Sequence, residues 1–358
     1  MDALHSVRAV FETLGGLPIP AVHIAGSKGK GTTAFLLAKI IELNGDRVGL
    51  FTSPAILSET EMIQVNGVPI TQDRLDFLKE KIAKMDDSLS EFELQTLSAF
   101  EYFKEENCDL AVVECGWGGK NDASNVLEDK ALTILTHIEM EHVDILGPTL
   151  HDIIHNKLGI TRPGVPLLTP VNQIPEVFEI LKEKGIEPVV VPQMELGTHH
   201  PESVGLAMMA GEMLGFSIDS VIEEALLQLK IPGRFEVMKF GPHTLLLDGA
   251  HTYDSVQYVL TRLPEFIQKN ALPQPRFGIH FLKDKNPELP SLFPQDRTVW
   301  IPLHEERAGT CPNFLQTIEL TDLLESLERH NVPEFWVLIG SFRLVHGVRM
   351  LTNSFNRL

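Results

Sequence analysis

Residues 22–33 read Val22-His23-Ile24-Ala25-Gly26-Ser27-Lys28-Gly29-Lys30-Gly31-Thr32-Thr33. A short apolar run enters a glycine-rich turn, and a helix-like stretch, 32–44, comes after it. Glycines accept positive φ and let backbone N–H groups close on an anion. A helix that starts there adds roughly half a positive charge at its N-terminus. Strand, glycine turn and helix together predict a phosphate cradle. Gly26, Ser27, Lys28, Gly29, Lys30, Gly31, Thr32 and Thr33 are its candidate contacts. Lys30 can reach the terminal phosphates, and a hydroxyl of Thr32 or Thr33 can reach Mg²⁺. The strict pattern G-x-x-x-x-G-K-[ST] is not met, because Ile24 stands at its first glycine and Gly31 follows Lys30. An ordinary strand-to-helix turn is the plain alternative.

Beyond this loop, short β-branched runs alternate with longer amphipathic ones. Strands are predicted at 21–25, 47–51, 109–115, 131–136, 165–169, 244–248, 277–282, 298–302 and 335–339, and helices at 32–44, 92–106, 201–214 and 255–268. This alternation predicts an α/β fold with a mostly parallel sheet covered on both faces. Near-continuous apolar strands such as Leu110-Ala111-Val112-Val113 suit such a sheet. The chain's 358 residues suggest about two domains. The joint is placed at Ile231-Pro232-Gly233-Arg234, where Pro and Gly stop a helix over 218–229.

Composition narrows the function. Lys+Arg is 30 against Asp+Glu 49, a formal net charge of −19. That opposes binding to a nucleic-acid backbone, which needs clustered cations. Three scattered cysteines, Cys108, Cys115 and Cys311, read as reduced thiols of a cytoplasmic protein. Neither a signal peptide nor a membrane span is visible.

Several side chains stand where ligands bind. Glu114 ends a strand just before a Gly-x-Gly-Gly turn, and strand C-termini border the ligand crevice of α/β sheets. Its bland reading is a solvated acid. Lys157 lies near the end of a short helix opened by Thr149, with Leu150, Ile153, Ile154 and Leu158 on the inner face. Such a lysine is usually solvated. His151 and His155 have metal-like i,i+4 spacing, but nothing else in that helix completes a site. Arg234 offers a planar cationic fork just past the joint. Asp248 and His251 follow the second domain's own strand.

The runs Phe51-Thr52-Ser53-Pro54, Phe92-Glu93-Leu94-Gln95-Thr96 and Val113-Glu114-Cys115-Gly116-Trp117-Gly118-Gly119-Lys120-Asn121-Asp122-Ala123-Ser124-Asn125-Val126 come in order after the glycine-rich loop. His142-Val143-Asp144-Ile145-Leu146-Gly147 and Asn156-Lys157-Leu158-Gly159-Ile160 come next. Pro232-Gly233-Arg234-Phe235, Asp248-Gly249-Ala250-His251 and Gly340-Ser341-Phe342-Arg343-Leu344-Val345 complete the set. Together they resemble the folylpolyglutamate synthase/dihydrofolate synthase branch of the Mur ligase superfamily. The resemblance implies a P-loop-type parallel-sheet ATPase domain over 1–232 and a smaller Rossmann-like α/β ligase domain over 233–358. It implies an ADP-forming ligase in which ATP phosphorylates a folate or dihydropteroate acid and the amine of L-glutamate displaces the phosphate. It assigns Mg²⁺ to Thr32, Ser53, Glu114 and His142, with K⁺ as a further ion. Lys30, Lys157, Arg234 and His251 become catalytic, Lys157 as a CO₂-derived carbamate. Arg234 and Asp248 join the glycine-rich loop as ATP contacts. The implied partners are a small-molecule acid and an amino acid, acted on by a monomer.

The sequence departs from that family at Ser27-Lys28 (usually Thr-Asn), at Ala55 and Met62 (usually His and Arg), at Thr252, and at Ser203 in the segment that resembles the adenine-holding helix start. The departures at Ala55 and Met62 keep open a Mur-like ligase for a non-folate acid. A degenerate nucleotide-binding homologue is the other alternative.

Overall fold

The computed structural model describes residues 4–141 and 143–355, the last two of these without their side chains. It divides into two compact units between Leu229 and Lys230. The sequence places that division after residue 232. Ile231 is buried and bridges to Arg234, so the Pro232-Gly233 turn belongs with the second unit.

The first unit holds eight strands: β1 (Ala21–Ala25), β2 (Val48–Phe51), β3 (Ile63–Val65), β4 (Val68–Pro69), β5 (Leu110–Glu114), β6 (Lys130–Leu135), β7 (Leu167–Pro170) and β8 (Val189–Val191). They form one sheet in the order β4-β3-β2-β5-β1-β6-β7-β8. The strands from β2 to β8 in that order are parallel, and the β3–β4 hairpin is antiparallel at one edge. Every residue of β1, β2 and β5 is buried, as a strand covered on both faces requires. One core gathers Phe51, Met62, Leu97, Phe100 and Phe103, and another gathers Ala25, Leu135, Ile153, Ile154 and Val177. The helix Lys30–Leu43 packs beside Pro201–Met213, where a Cβ on Gly211 would meet Ile40 at 3.1 Å.

Register fixes the functional edge. Ile24 pairs with Glu114, Ala25 with Leu135 and Phe51 with Val113. The loops that leave β1, β2, β5 and β6 therefore emerge side by side at the C-terminal edge. The chain goes to one side of β1 first (β2, β5) and then to the other (β6), so β1 marks the switch point where α/β sheets bind ligands.

The second unit holds β9 (Glu236–Phe240), β10 (His243–Asp248), β11 (Arg276–Ile279), β12 (Thr298–Trp300), β13 (Gln316–Thr317) and β14 (Phe335–Ile339). Their order is β13-β12-β11-β14-β10-β9, parallel except for β9. Its core sets Phe235, Phe277, Phe281, Phe293, Trp300 and Phe335 against Val256, Val259 and Leu263 of the helix Tyr253–Lys269. The expected α/β class and all nine expected strand runs are present, together with five more strands, β3, β4, β8, β9 and β13. Among the described residues no helix is long and apolar enough to cross a membrane.

Candidate active site

The glycine-rich loop hangs from the loop after β6. The His137 carbonyl accepts from Ser27 N (2.8 Å) and Lys28 N (3.3 Å), and Ser27 Oγ exchanges bonds with the backbone of Glu139. Gly26 has φ 144° and no room for a Cβ, which would lie 1.9 Å from Thr136 Oγ1. Gly29, at φ 86°, opens the helix Lys30–Leu43. The first amides of an α-helix have no partner within it; here Thr33 N already donates to Gly29 O at 2.9 Å, which leaves residues 30–32 on that turn. Lys28 forms an ion pair with Glu139, which offsets the extra charge that the sequence places in this loop.

Lys30 folds back over the loop. Its Nζ donates to Gly26 O (3.1 Å) and lies 3.9 Å from Glu114 Oε1. Lys157 reaches the same carbonyl from the end of the helix Leu150–Lys157: its Nζ donates to Gly26 O at 2.8 Å and to Glu141 Oε1 at 2.8 Å. Its side chain is 1% exposed, so this is not the solvated lysine of the bland reading. Burial and the neighbouring Lys30 cation push its ammonium pKa down, and Glu141 pulls the other way. Glu114 is buried, and its Oε2 accepts from Ser53 N at 3.2 Å. A Cβ on Gly31 would lie 3.2 Å from that oxygen, so the helix start approaches this carboxylate closely.

Glu114 and the hydroxyls of Ser53 and Thr32 offer hard oxygens, the type Mg²⁺ selects; of these neighbours, the Ser53 amide and the helix start at Gly31 lie against the carboxylate. Among the described residues no three His, Cys, Asp or Glu side chains cluster for a metal. A cation at Glu114 would therefore rely on hydroxyl, water and phosphate oxygens, which is how Mg²⁺ is commonly held. His142 lies outside the described residues.

In the second unit, Asp248 ends β10 with both oxygens engaged. Oδ2 accepts from Phe235 N and Oδ1 from Ala250 N, each at 2.7 Å. Burial pushes its carboxyl pKa up, opposed by Arg234 and these amides. The Arg234 guanidinium stacks over Phe342 at 4.1 Å, and His251 Nδ1 contacts Gly249 O at 2.8 Å. The structure thus groups the glycine-rich loop, Ser53, Glu114 and Lys157 in one unit, and Arg234, Asp248 and His251 in the other.

The departures have local roles. Met62 is buried in the core, and the Glu61 carboxylate accepts from Ile56 N (3.0 Å) and Leu57 N (2.9 Å), stapling the loop that carries Ala55. Ser203 Oγ donates to Gly29 O at 3.4 Å. Its neighbour Glu202 is buried and accepts from His137 N and Asn172 Nδ2, both at 3.1 Å. Thr252 N donates to Ser255 Oγ at 3.1 Å, at the start of the helix Tyr253–Lys269. The His151 and His155 rings lie 4.3 Å apart. Sequence reasoning gives no role to Glu141, Glu202 or Asp122. Glu141 and Glu202 act through contacts remote in sequence, whereas Asp122 binds its close neighbours Trp117 and Ser124. The only local signals are the place of Glu141 beside His142 and that of Asp122 inside the Gly-Gly-Lys-Asn-Asp run.

Comparison with known proteins adds to this geometry. Residues 24–238 match the Mur ligase middle domain family. The chain is 31% identical over 317 residues to a dihydrofolate synthase/folylpolyglutamate synthase of Bacillus subtilis, covering 75% of this chain and 72% of that one. It is 32% identical to a folylpolyglutamate synthase of Saccharomyces cerevisiae over 66% of this chain, but spans only 52% of that protein's length. A solved bifunctional folylpolyglutamate synthase/dihydrofolate synthase with Mn, AMPPNP and L-glutamate bound superposes with a TM-score of 0.82 and 25% identity, covering 98% of this chain and 94% of the other. The chain belongs to the Mur ligase superfamily, in its folylpolyglutamate synthase/dihydrofolate synthase branch.

Proposed function

We propose that the protein uses ATP to join L-glutamate to a folate or dihydropteroate acid. The observation that carries this reading is the pair of lysines, Lys30 and Lys157, sharing the Gly26 carbonyl beside the buried Glu114. The helix amides and Lys30 hold the terminal phosphates and stabilise charge as the γ-phosphoryl group moves to a carboxylate oxygen of the acid. The phosphorus–oxygen bond to ADP breaks in that step. The glutamate amine then attacks the acyl carbon and loses a proton, and inorganic phosphate leaves as the amide forms. When bound, Mg²⁺ at Glu114, Ser53 and Thr32, with His142 as a further ligand, supplies charge neutralisation on the phosphates. Burial favours the neutral Lys157 amine, the form that CO₂ converts to a carbamate. In the second unit Arg234 is the candidate nucleotide contact and His251 assists the transfer, while Asp248 braces the backbone beside each of them through Phe235 N and Ala250 N. The neighbour with Mn, AMPPNP and L-glutamate bound supports the nucleotide, the divalent ion and the amino acid.

The test is phosphate release from ATP with acids and amino acids offered in pairs. Release that requires glutamate together with dihydropteroate or tetrahydrofolate is expected. Nucleotide binding without release for any pair would overturn the ligase reading. A second reading, the same chemistry on a non-folate acid, is favoured by the loop at Ala55–Met62, where the residue usually Arg is a buried methionine. Release with another acid alone would select it.

A further inference from the structure

A buried polar chain runs beneath the site and takes no part in the reaction proposed above. His23 in β1, Cys115 after β5, and Ser124 are fully buried, and Asp122 nearly so. Ser124 Oγ contacts Asp122 Oδ1 and lies 2.8 Å from His23 Nε2. Cys115 Sγ lies 3.1 Å from the same nitrogen and 3.6 Å from Ser124 Oγ. Asp122 also accepts from Ser124 N (3.0 Å) and, through Oδ2, from Trp117 N (2.8 Å).

Hydrogen-bond accounting fixes the direction. A serine hydroxyl has one proton and an ionised carboxylate only accepts. Ser124 gives its proton to Asp122, so His23 must donate Nε2–H to Ser124. That leaves His23 Nδ1 bare. This nitrogen is buried with no partner among the described residues, which suits a lone pair and would be costly for an N–H. The reverse order, from a protonated Asp122 through Ser124 to His23, would leave an orphan N–H at Nδ1. The chain therefore runs His23 to Ser124 to Asp122. The histidine donates to the serine and takes no proton from it, so this is not a nucleophilic Ser-His-Asp arrangement.

The chain joins the pieces that carry the proposed chemistry. His23 lies on the strand that feeds the glycine-rich loop, and Cys115 is next to Glu114. Asp122 holds Trp117 in the turn after that strand. The same turn clamps the helix bearing Lys157: Gly119 N donates to Asn156 Oδ1 (3.0 Å) and Lys120 N to Asn156 O (2.7 Å). A Cβ on Gly119 would strike Lys157 O at 2.6 Å.

We infer that His23, Ser124 and Asp122 are positioning residues that set Glu114 and Lys157 against the glycine-rich loop through one directed hydrogen-bond chain. The role in catalysis rests on the proposed function; the chain itself does not. The key variants are Ser124→Ala, His23→Leu, and His23→Gln, whose amide keeps a donor near the Nε2 position. Nitrogen-15 NMR of histidine-labelled protein should show His23 as the neutral Nε2–H tautomer. An Nδ1–H tautomer or an imidazolium would overturn the inference. Without ligand, amide exchange over residues 26–31 and 114–120 should quicken in Ser124→Ala and His23→Leu and stay near the parent rate in His23→Gln. With ATP, the Mg²⁺ concentration for half-maximal phosphate release should rise about tenfold in the first two variants and little in His23→Gln. Equal losses in His23→Leu and His23→Gln, or lowered melting temperature with unchanged exchange and Mg²⁺ requirement, would reduce the chain to plain packing and reject the positioning role. A parent protein that releases no phosphate with any acid counts against the function alone, because tautomer and exchange still judge the chain.

Discussion

The two units end their leading strands in opposite ways. Around the end of β1, charged side chains are balanced against one another: Lys28 with Glu139, Lys30 with Glu114 and, from the helix Leu150–Lys157, Lys157 with Glu141. Around the end of β10, polar side chains are tied to main chain and ring: Asp248 to the amides of Phe235 and Ala250, His251 to Gly249 O, and Arg234, from before β9, over Phe342. Paired charges can exchange partners when a polyphosphate arrives, whereas a carboxylate accepting two buried amides is a structural brace. On the proposed function the first edge receives an incoming anion, and the second holds its own loop in shape.

Lys30→Ala tests this contrast most severely. We expect phosphate release to fall by about two to three orders of magnitude, with circular dichroism and melting temperature close to the parent. Near-normal turnover would remove Lys30 from the phosphate site. Asp248→Ala should do the reverse in kind. Two buried amides lose their acceptor, at a cost of about 2–4 kcal/mol in urea unfolding of the second unit. If that variant kept full stability and lost only activity, the brace would be the wrong description. Lys157→Ala comes next, with a loss of about ten- to a hundredfold in rate. Added short carboxylates should restore part of it by standing in for a carbamate, and a full rate without them would remove the carbamate.

A fainter effect probes a third cation, far from either strand-end loop. Lys130 begins β6, and its buried Nζ donates to Asn125 Oδ1 (2.9 Å) and Ile160 O (2.8 Å). Burial, aided by Arg162, pushes its pKa down to about 7 from an ordinary 10.5. Between those values the unfolded chain binds more protons than the folded one, so stability rises with pH across the window. The burden of the charged form is fully present below the lower value. Lys130→Met should flatten that rise by roughly 1 kcal/mol or more, read from urea midpoints between about pH 6.5 and 9. An unchanged slope would mean the ammonium stays charged throughout.

How legible the molecule is in its sequence depends on the same physics. β1 and β5 are plain there because double-sided burial writes an uninterrupted apolar run. β9 and β13 are not, since antiparallel or exposed edge strands carry mixed residues such as Glu236 and Lys239 or Gln316 and Thr317. The β3–β4 hairpin does leave a signal, Asn66-Gly67, whose positive φ values of 47° and 72° suit a tight turn. At the site, the glycine-rich loop and Glu114 can be found by local pattern and strand position. The Glu139 partner of Lys28 and the chain from His23 to Asp122 cannot. His23 and Ser124 are separated by 101 positions, and only the sheet brings them together.

The crowding at Gly26 bears on how this loop can drift. Thr136 Oγ1, Cβ and N lie 1.9, 2.9 and 3.0 Å from where a Cβ would stand. Trimming Thr136 to alanine would still leave its Cβ and main chain in the way. Even glycine at 136 would leave the amide nitrogen 3.0 Å away, and the φ of 144° strains any side chain at Gly26, so no single neighbouring replacement frees this position. On the proposed function, changes in nucleotide preference would enter through the side chains around the loop, such as Ser27, Lys28 and Ser203, while its glycine corner stays as it is.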